Sequence, residues 1–466
     1  MSDTLSVTSP WNEQIVSTYE LDTPSSIDGK VGKAWQAQRA WRQVPLSERL
    51  NLIASFLEVA ETDKVRIAAQ ISAEMGKPIS EAIGEMNTVF SRAQTMMKLA
   101  PEGLSDIAVP ADDGIERTIV RDPLGVVVDV AAWNYPLLIA ANVVIPGVLA
   151  GNAIVIKHAS QSPSVGGWFE DAFRRAGAPD GLVTAVTIPG RQAHSLLEHP
   201  KVSAVFFTGS VDGGRQVYRT VANRESGFLD VGLELGGKDP AYVREDMDLD
   251  IVVPNLVEGA FYNAGQSCCA VERIYVHRAL YHDFVERYVE EARGWTVGDP
   301  SVDGTLLGPV ASKETLDVLD AQVADAVSKG ARLLVGGKRF QGPGWKYPAT
   351  VLADCDHSMD VMREESFGPI IGIMAVDGDD HGIECMNDTS FGLTASVWSA
   401  DTESAARLAR QVSAGTVFVN RCDYVDPSLP WTGFRDSGKG ISLSTLAYHH
   451  LTRARGLHVR PLRLMR

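Results

Sequence analysis

Cysteine is scarce in this chain: five in 466 residues, at Cys268, Cys269, Cys355, Cys385 and Cys422. An odd, scattered set with no Cys-x-x-Cys pair excludes a disulfide framework and a thiolate metal cluster, so no metal site is expected. Long apolar runs are missing too. The longest candidate, residues 125–150, is interrupted by Asp129, Asn134, Pro136, Asn142 and Pro146, which makes a poor membrane span. Positive charge is in deficit, 43 Lys+Arg against 59 Asp+Glu, a formal net charge of −16. That balance weighs against nucleic acid or an anionic membrane as a partner. The opening Met1-Ser2-Asp3-Thr4-Leu5-Ser6 has no charged-then-apolar leader pattern, and no repeat or low-complexity tract appears. These absences point to a reduced, cytoplasmic, soluble enzyme. What remains is ordinary globular composition, 45% hydrophobic and 22% charged, in a chain long enough for about two to four domains.

Residues 30–105 carry apolar positions at helical spacing, with Ser47 a candidate N-cap. A β-rich stretch over 114–121 ends in the turn Asp122-Pro123-Leu124-Gly125. Strands then alternate with helices. Strands are predicted at 126–132, 153–157, 182–188, 202–208 and 228–235, with helices over 137–150, 163–176, 191–198 and 210–222. Short apolar strands separated by helices imply right-handed βαβ crossovers and an open parallel sheet, which binds ligands beyond its carboxyl ends. A second α/β region follows from 236, with strands near 273–276, 331–335, 370–375, 395–398 and 416–419. The fold class read from this pattern is α/β, two parallel-sheet domains.

Several residues could carry chemistry. Cys268, in Gly265-Gln266-Ser267-Cys268-Cys269-Ala270, follows a glycine-containing turn, which would place it at a helix start that favours a thiolate; a buried inert thiol is the alternative. Glu234, in Leu233-Glu234-Leu235-Gly236-Gly237-Lys238, interrupts the end of an apolar strand, where burial would suit it to general-base work; a solvated strand-end acid is the alternative. Asn134, in Trp133-Asn134-Tyr135-Pro136, could donate to an oxyanion, cap the following helix, or both. Phe206-Phe207-Thr208-Gly209-Ser210 runs from a strand into a helix start that favours a phosphate. Lys157 ends a strand and could reach ribose hydroxyls, or simply be solvated.

Together these motifs resemble the aldehyde dehydrogenase superfamily. The resemblance runs from about residue 20 to the C-terminus, and continues through Glu365-Ser366-Phe367-Gly368-Pro369 and Gly433-Phe434-Arg435-Asp436-Ser437-Gly438. It implies a Rossmann-like NAD(P)-binding domain (1–110, 124–233 and 434–449), a catalytic domain (234–433) and a small β oligomerisation arm (111–123 and 450–466). It further implies Cys268 as nucleophile, Asn134 with the Cys268 N–H as oxyanion donors, and Glu234 activating the hydrolytic water. NAD or NADP would meet Trp133, Lys157, Ser160, Gly209, Ser210, Glu365 and Phe367. The aldehyde pocket would include Tyr135, Ile139, Asn142, Tyr262 and the loop 421–426, where Arg421 could receive a carboxylate and Asp423 or Asp426 a cationic group. A homodimer or homotetramer is expected.

Two departures from the family pattern stand out. NAD-selective members commonly carry Lys-Pro-Ser/Ala-Glu, whereas this chain has Lys157-His158-Ala159-Ser160. Ser160 removes the repulsion of a 2′-phosphate, and His158 could add positive charge, so NADP is expected to be accepted. A Lys–Glu pair that many hydrolytic relatives use for proton handling is here Val143 and Ser442, so Glu234 is expected to act without that relay. Cys269 reads as a packing residue or a redox lock. The alternatives to aldehyde oxidation are a CoA-acylating dehydrogenase and a catalytically silent scaffold.

Overall fold

A computed structural model describes residues 4–111 and 113–462. The predicted helical stretch is three helices, Pro24–Trp41, Leu46–Met75 and Ile79–Gly103. Gly76 (φ 84°) and the prolines at 45 and 78 divide it, since a left-handed residue ends a helix and proline begins one. Ser47 is therefore not an N-cap: Pro45 occupies that position and Ser47 lies inside the first turn.

Among the described residues the strands form four sheets. In the first large sheet the order is Gly438–Lys439, Asp230–Glu234, Val202–Thr208, Val126–Ala131, Ala153–His158, Val183–Ala185. All of these pair in parallel except Gly438–Lys439, which runs antiparallel to Asp230–Glu234. The strand Val126–Ala131 and the helix Pro136–Leu149 are buried along their whole length, which is why this stretch is almost continuously apolar. Chain order reverses beside Val126–Ala131. Its crossover leads to Ala153–His158 on one side, and later strands fill the other. A crevice opens at such a reversal, at the carboxyl ends of the two diverging strands.

The second large sheet has seven strands, in the order Arg332–Val335, Thr350–Ala353, Ile370–Val376, Val271–His277, Asp239–Val243, Thr394–Trp398, Thr416–Val419. It too has an antiparallel edge, Arg332–Val335 on Thr350–Ala353. Both sheets are thus parallel in the middle and mixed at one edge, a refinement of the all-parallel expectation. Sequence reading missed the buried strand Asp239–Val243, whose five residues follow directly on Gly236-Gly237-Lys238, and an N-terminal hairpin of Thr4–Thr8 with Ile15–Glu20. A three-stranded antiparallel sheet joins Ile107–Ala108, Glu116–Pro123 and Thr452–Val459. No helix among the described residues is long and apolar enough to cross a membrane.

Candidate active site

A cleft of about 660 Å³ opens between the two large sheets, and it brings Cys268, Glu234, Tyr135, Tyr262, Asn142 and Arg421 to one surface. Cys268 is half-exposed there. It does not begin a helix, contrary to expectation: the turn that carries it runs straight into the strand Val271–His277. Its position comes from backbone geometry instead. Asn263 (φ 51°), Ala264 (φ 56°) and Gly265 (φ 69°) are three successive left-handed residues, which non-glycine side chains disfavour. A Cβ on Gly265 would meet the Gly368 carbonyl oxygen at 2.3 Å, so only glycine fits. Asn263 holds the turn, its Nδ2 donating to the carbonyls of Gln266 (3.2 Å) and of Asn134 (3.0 Å). Gln266 Oε1 in turn accepts from the Ala311 N–H.

The Asn134 side chain does not cap the helix that follows. The first-turn N–H groups of Leu137 (2.8 Å) and Leu138 (3.1 Å) donate to buried Glu85 Oε1, which leaves the Asn134 amide free of that duty. Asn134 is itself buried, one residue before Tyr135 of the cleft lining. Glu234 ends its strand in register with Thr208. Burial raises its carboxyl above the ordinary range, while a hydrogen bond from Ser442 Oγ and the nearby Arg92 charge pull it back. The Ser442 substitution thus does more than delete a relay: it places a hydroxyl on the carboxylate.

The remaining sequence candidates gather at the carboxyl ends of the first sheet. Lys157, opposite Val130 on the neighbouring strand, is 4% exposed, and its ammonium has no partner among the described residues. Burial lowers it to about 8. Gly209 and Ser210 lead into the helix Val211–Ala222, where Ser210 Oγ accepts from the Gly213 N–H (3.2 Å) as the N-cap. Glu365 lies on the Gly236–Gly237 backbone and accepts from the Gly237 N–H (3.1 Å); a Cβ on Gly236 would strike its carboxylate. Burial and the Glu272 carboxylate push Glu365 up to about 8. Phe367 meets Trp133 edge to face, centroids 5.5 Å apart. Glu272, which the motif reading passed over, fixes this loop: it accepts from the Ser366 and Phe367 N–H groups and pairs with buried Lys238 at 2.6 Å.

Two readings need correction. His158 adds no positive charge. It is buried, with Nε2 on the Pro136 carbonyl (3.0 Å) and Nδ1 on Ser162 Oγ (3.2 Å), and burial lowers it to about 4. Ser160 is half-exposed in the following turn. Asp423 lines the cleft with Oδ1 already engaged: it accepts from Ser267 Oγ (2.8 Å) and from Cys269 Sγ (3.1 Å), and so holds the turn that carries Cys268. Asp426 closes a turn through the Ser428 N–H. Arg421 remains at the mouth, stacked 3.5 Å over Tyr424. Cys269 is a buried free thiol on the Asp423 carboxylate, and all five cysteines are free. Among the described residues no cluster of three or more His, Cys, Asp or Glu could hold a metal ion.

Sequence reasoning missed Arg92, a buried arginine on the helix Ile79–Gly103 that lines the cleft. Its signal was present: a second charge seven residues after Glu85, on a stripe otherwise made of Met86, Val89, Ala93 and Met96.

Residues 1–456 match the model of the family described as the aldehyde dehydrogenase family. The chain is 34% identical over 446 residues to succinate-semialdehyde dehydrogenase [NADP(+)] 1 of Mycobacterium ulcerans, covering 94% of this chain and 96% of that protein. Its structure is similar to that of lactaldehyde dehydrogenase from Escherichia coli (TM-score 0.95, 29% identity, 99% of this chain and 96% of the other). It is similar also to a 3,6-anhydro-L-galactose dehydrogenase (TM-score 0.93, 30% identity, 98% and 96%).

Proposed function

The chain belongs to the aldehyde dehydrogenase family, and from that premise we propose that its cleft carries out NAD(P)-dependent oxidation of an aldehyde to a carboxylic acid. The observation that carries this reading is the meeting of Cys268 and Glu234 in one cleft at the carboxyl ends of the sheet. Cys268 attacks the aldehyde carbon; a C–S bond forms and the carbonyl oxygen becomes an oxyanion. The Asn134 amide and the Cys268 N–H stabilise that charge. The dinucleotide, when bound, supplies the hydride acceptor, which leaves a thioacyl group on Cys268. Glu234 then takes a proton from water, the hydroxide adds to the acyl carbon, and the C–S bond breaks to release the carboxylic acid. Glu234 favours this outcome over transfer to a thiol such as CoA.

The fit of a dinucleotide rests on two features of this fold. Lys157 is a buried cation without a counter-charge among the described residues, and the helix start at Gly209–Ser210 lies at the chain reversal of the sheet, where backbone N–H groups favour phosphate. We assign Lys157 to the adenosine ribose and Ser210 to the pyrophosphate. Glu365 goes to the nicotinamide ribose, with Phe367 and Trp133 beside the ring. Residues 1–110, 124–233 and 434–449 would form the cofactor domain and 234–433 the catalytic domain. With His158 neutral, tolerance of a 2′-phosphate falls to Ser160 alone. The M. ulcerans relative's name specifies NADP(+), in keeping with that reading. Following reduced-nicotinamide absorbance across alkyl, aromatic, amino- and carboxy-aldehydes tests the proposal, with NAD and NADP run in parallel. We expect turnover with NADP; a preference for NAD above about a hundredfold in kcat/KM, the worth of about 2.7 kcal/mol, would overturn the Ser160 argument.

The three-stranded sheet serves, in this reading, as an oligomerisation arm of a cytoplasmic homodimer or homotetramer. Among the described residues the strand Thr452–Val459 pairs on one side only and leaves Leu457 and Val459 exposed, an edge that a second chain can cover. Light scattering should show a smaller assembly for a chain ending before Thr452. An unchanged mass would discard the arm.

A further inference from the structure

Arg92 is a charge that the steps above use only through its field at Glu234. Its side chain enters the cleft interior from the helix Ile79–Gly103, and the residue is 6% exposed. Nη1 donates to Asn142 Oδ1 at 2.9 Å. Among the described residues the buried Nε has no acceptor, and no carboxylate forms an ion pair with the guanidinium. The nearby acids are engaged elsewhere. Glu85 accepts from Lys77 and from the helix start at Leu137, Asp423 accepts from Ser267 and Cys269, and Glu234 accepts from Ser442. Burial lowers Arg92 only to about 10, so it is a cation at neutral pH. A buried guanidinium with one neutral partner is costly unless an anion completes it. Arg421 at the exposed mouth is a weaker candidate, because solvent screens a charge there.

We propose that Arg92, held in plane by Asn142, determines specificity by receiving the carboxylate of an aldehyde that carries a second, anionic end. The physiological substrate class is then an ω-carboxy aldehyde, with the aldehyde at Cys268 and the carboxylate at Arg92. This inference rests on the aldehyde-oxidising reading and narrows it. Guanidinium suits the task because its fork meets both carboxylate oxygens, and an acyclic substrate held at both ends loses the freedom that would misalign its carbonyl. The reaction that supplies such a substrate must be one that leaves an aldehyde on a carboxylic acid, such as transamination of an ω-amino acid. The product is a dicarboxylate.

The test compares wild type, Arg92→Gln and Arg92→Lys on two substrates of equal chain length, an ω-carboxy aldehyde and the unsubstituted aldehyde. Arg92→Gln should lose roughly 10- to 100-fold in kcat/KM for the carboxy-aldehyde, carried in KM, as expected for a lost charged hydrogen bond. Above the acid limb of the pH profile the plain aldehyde should change by about twofold or less, and Arg92→Lys should restore part of the difference. Equal losses on both substrates, measured above the acid limb that the Arg92 charge helps to set through Glu234, would instead mean that Arg92 acts through Glu234, and would overturn the proposal. A second readout needs no turnover. A dicarboxylate should slow alkylation of Cys268 in wild type but not in Arg92→Gln, and a monocarboxylate should protect neither. Should Arg92→Gln fail to fold, Arg92→Lys, which keeps the charge but not the fork, must still lower the ratio between the two substrates. Arg92-dependent protection without oxidation of any aldehyde would preserve the anion site and remove the functional reading. Equal oxidation of both aldehydes, with no protection, would do the reverse.

Discussion

Replacing Cys268 by alanine should abolish aldehyde oxidation, on the order of 10⁴-fold or more in kcat, while the fold and cofactor binding survive. The effect is large because no other thiol can take over. Cys269 is buried against Asp423; its hydrogen bond with Cys268 and its burial push its thiol far up, and the Asp423 charge adds to the effect. Cys422, at the far side of the cleft, is likewise raised by burial and by Asp423. Oxidation measured as reduced-nicotinamide absorbance, paired with a thermal melt to confirm folding, decides the matter. Residual turnover within about tenfold of wild type would remove Cys268 as the nucleophile. Thiol titration adds an independent check, since one fast-reacting thiol per chain should vanish in Cys268→Ala.

Glu234→Gln should lower steady-state turnover about 10²- to 10³-fold, the usual worth of a positioned general base, and leave a burst of roughly one reduced nicotinamide per site. The burst separates the steps: acyl transfer to Cys268 needs no water, whereas its release does. Full steady-state turnover in this variant would refute the assignment. The pH dependence follows from the direction of the carboxyl shift. Burial holds Glu234 protonated to a higher pH than an ordinary carboxyl, so the rate of acyl release should fall as pH drops through that raised value. Ser442 Oγ donates to the charged form and so lowers the value. Ser442→Ala should therefore move the acid limb to higher pH with little change in the plateau. An acid limb that moves down, or stays, would mean that the hydroxyl does not act on the base.

Much of this molecule was legible in its sequence. The strand Val202–Thr208 and the strand Thr416–Val419 lie where alternation of apolar runs and turns placed them. The motifs around Cys268, Glu234 and Glu365 were readable because a close backbone approach leaves its mark in glycine, as at Gly236 beneath the Glu365 carboxylate. Helix boundaries at Pro45 and Pro78 were available in the same way: the helical reading set a start at Ser47, two residues past Pro45, and passed over Pro78.

Other features have no local signature. His158 looked like a charge, and only the carbonyl of Pro136 and the surrounding burial make it neutral. Asp423 looked like a loop acid, and only the fold turns it onto Ser267 and Cys269, 156 and 154 residues away. Glu85 accepts from the first turn of a helix at Leu137, 52 residues later in the chain. What the sequence by itself determined is what near neighbours decide: which segments are strands and helices, which turns require glycine, and which family motifs are present. Ionisation, and the question of which charges are compensated, was decided by tertiary structure alone. Both depend on desolvation and on partners distant in the chain, as with Arg92, whose place in the cleft and single neutral partner no run of residues around it reveals.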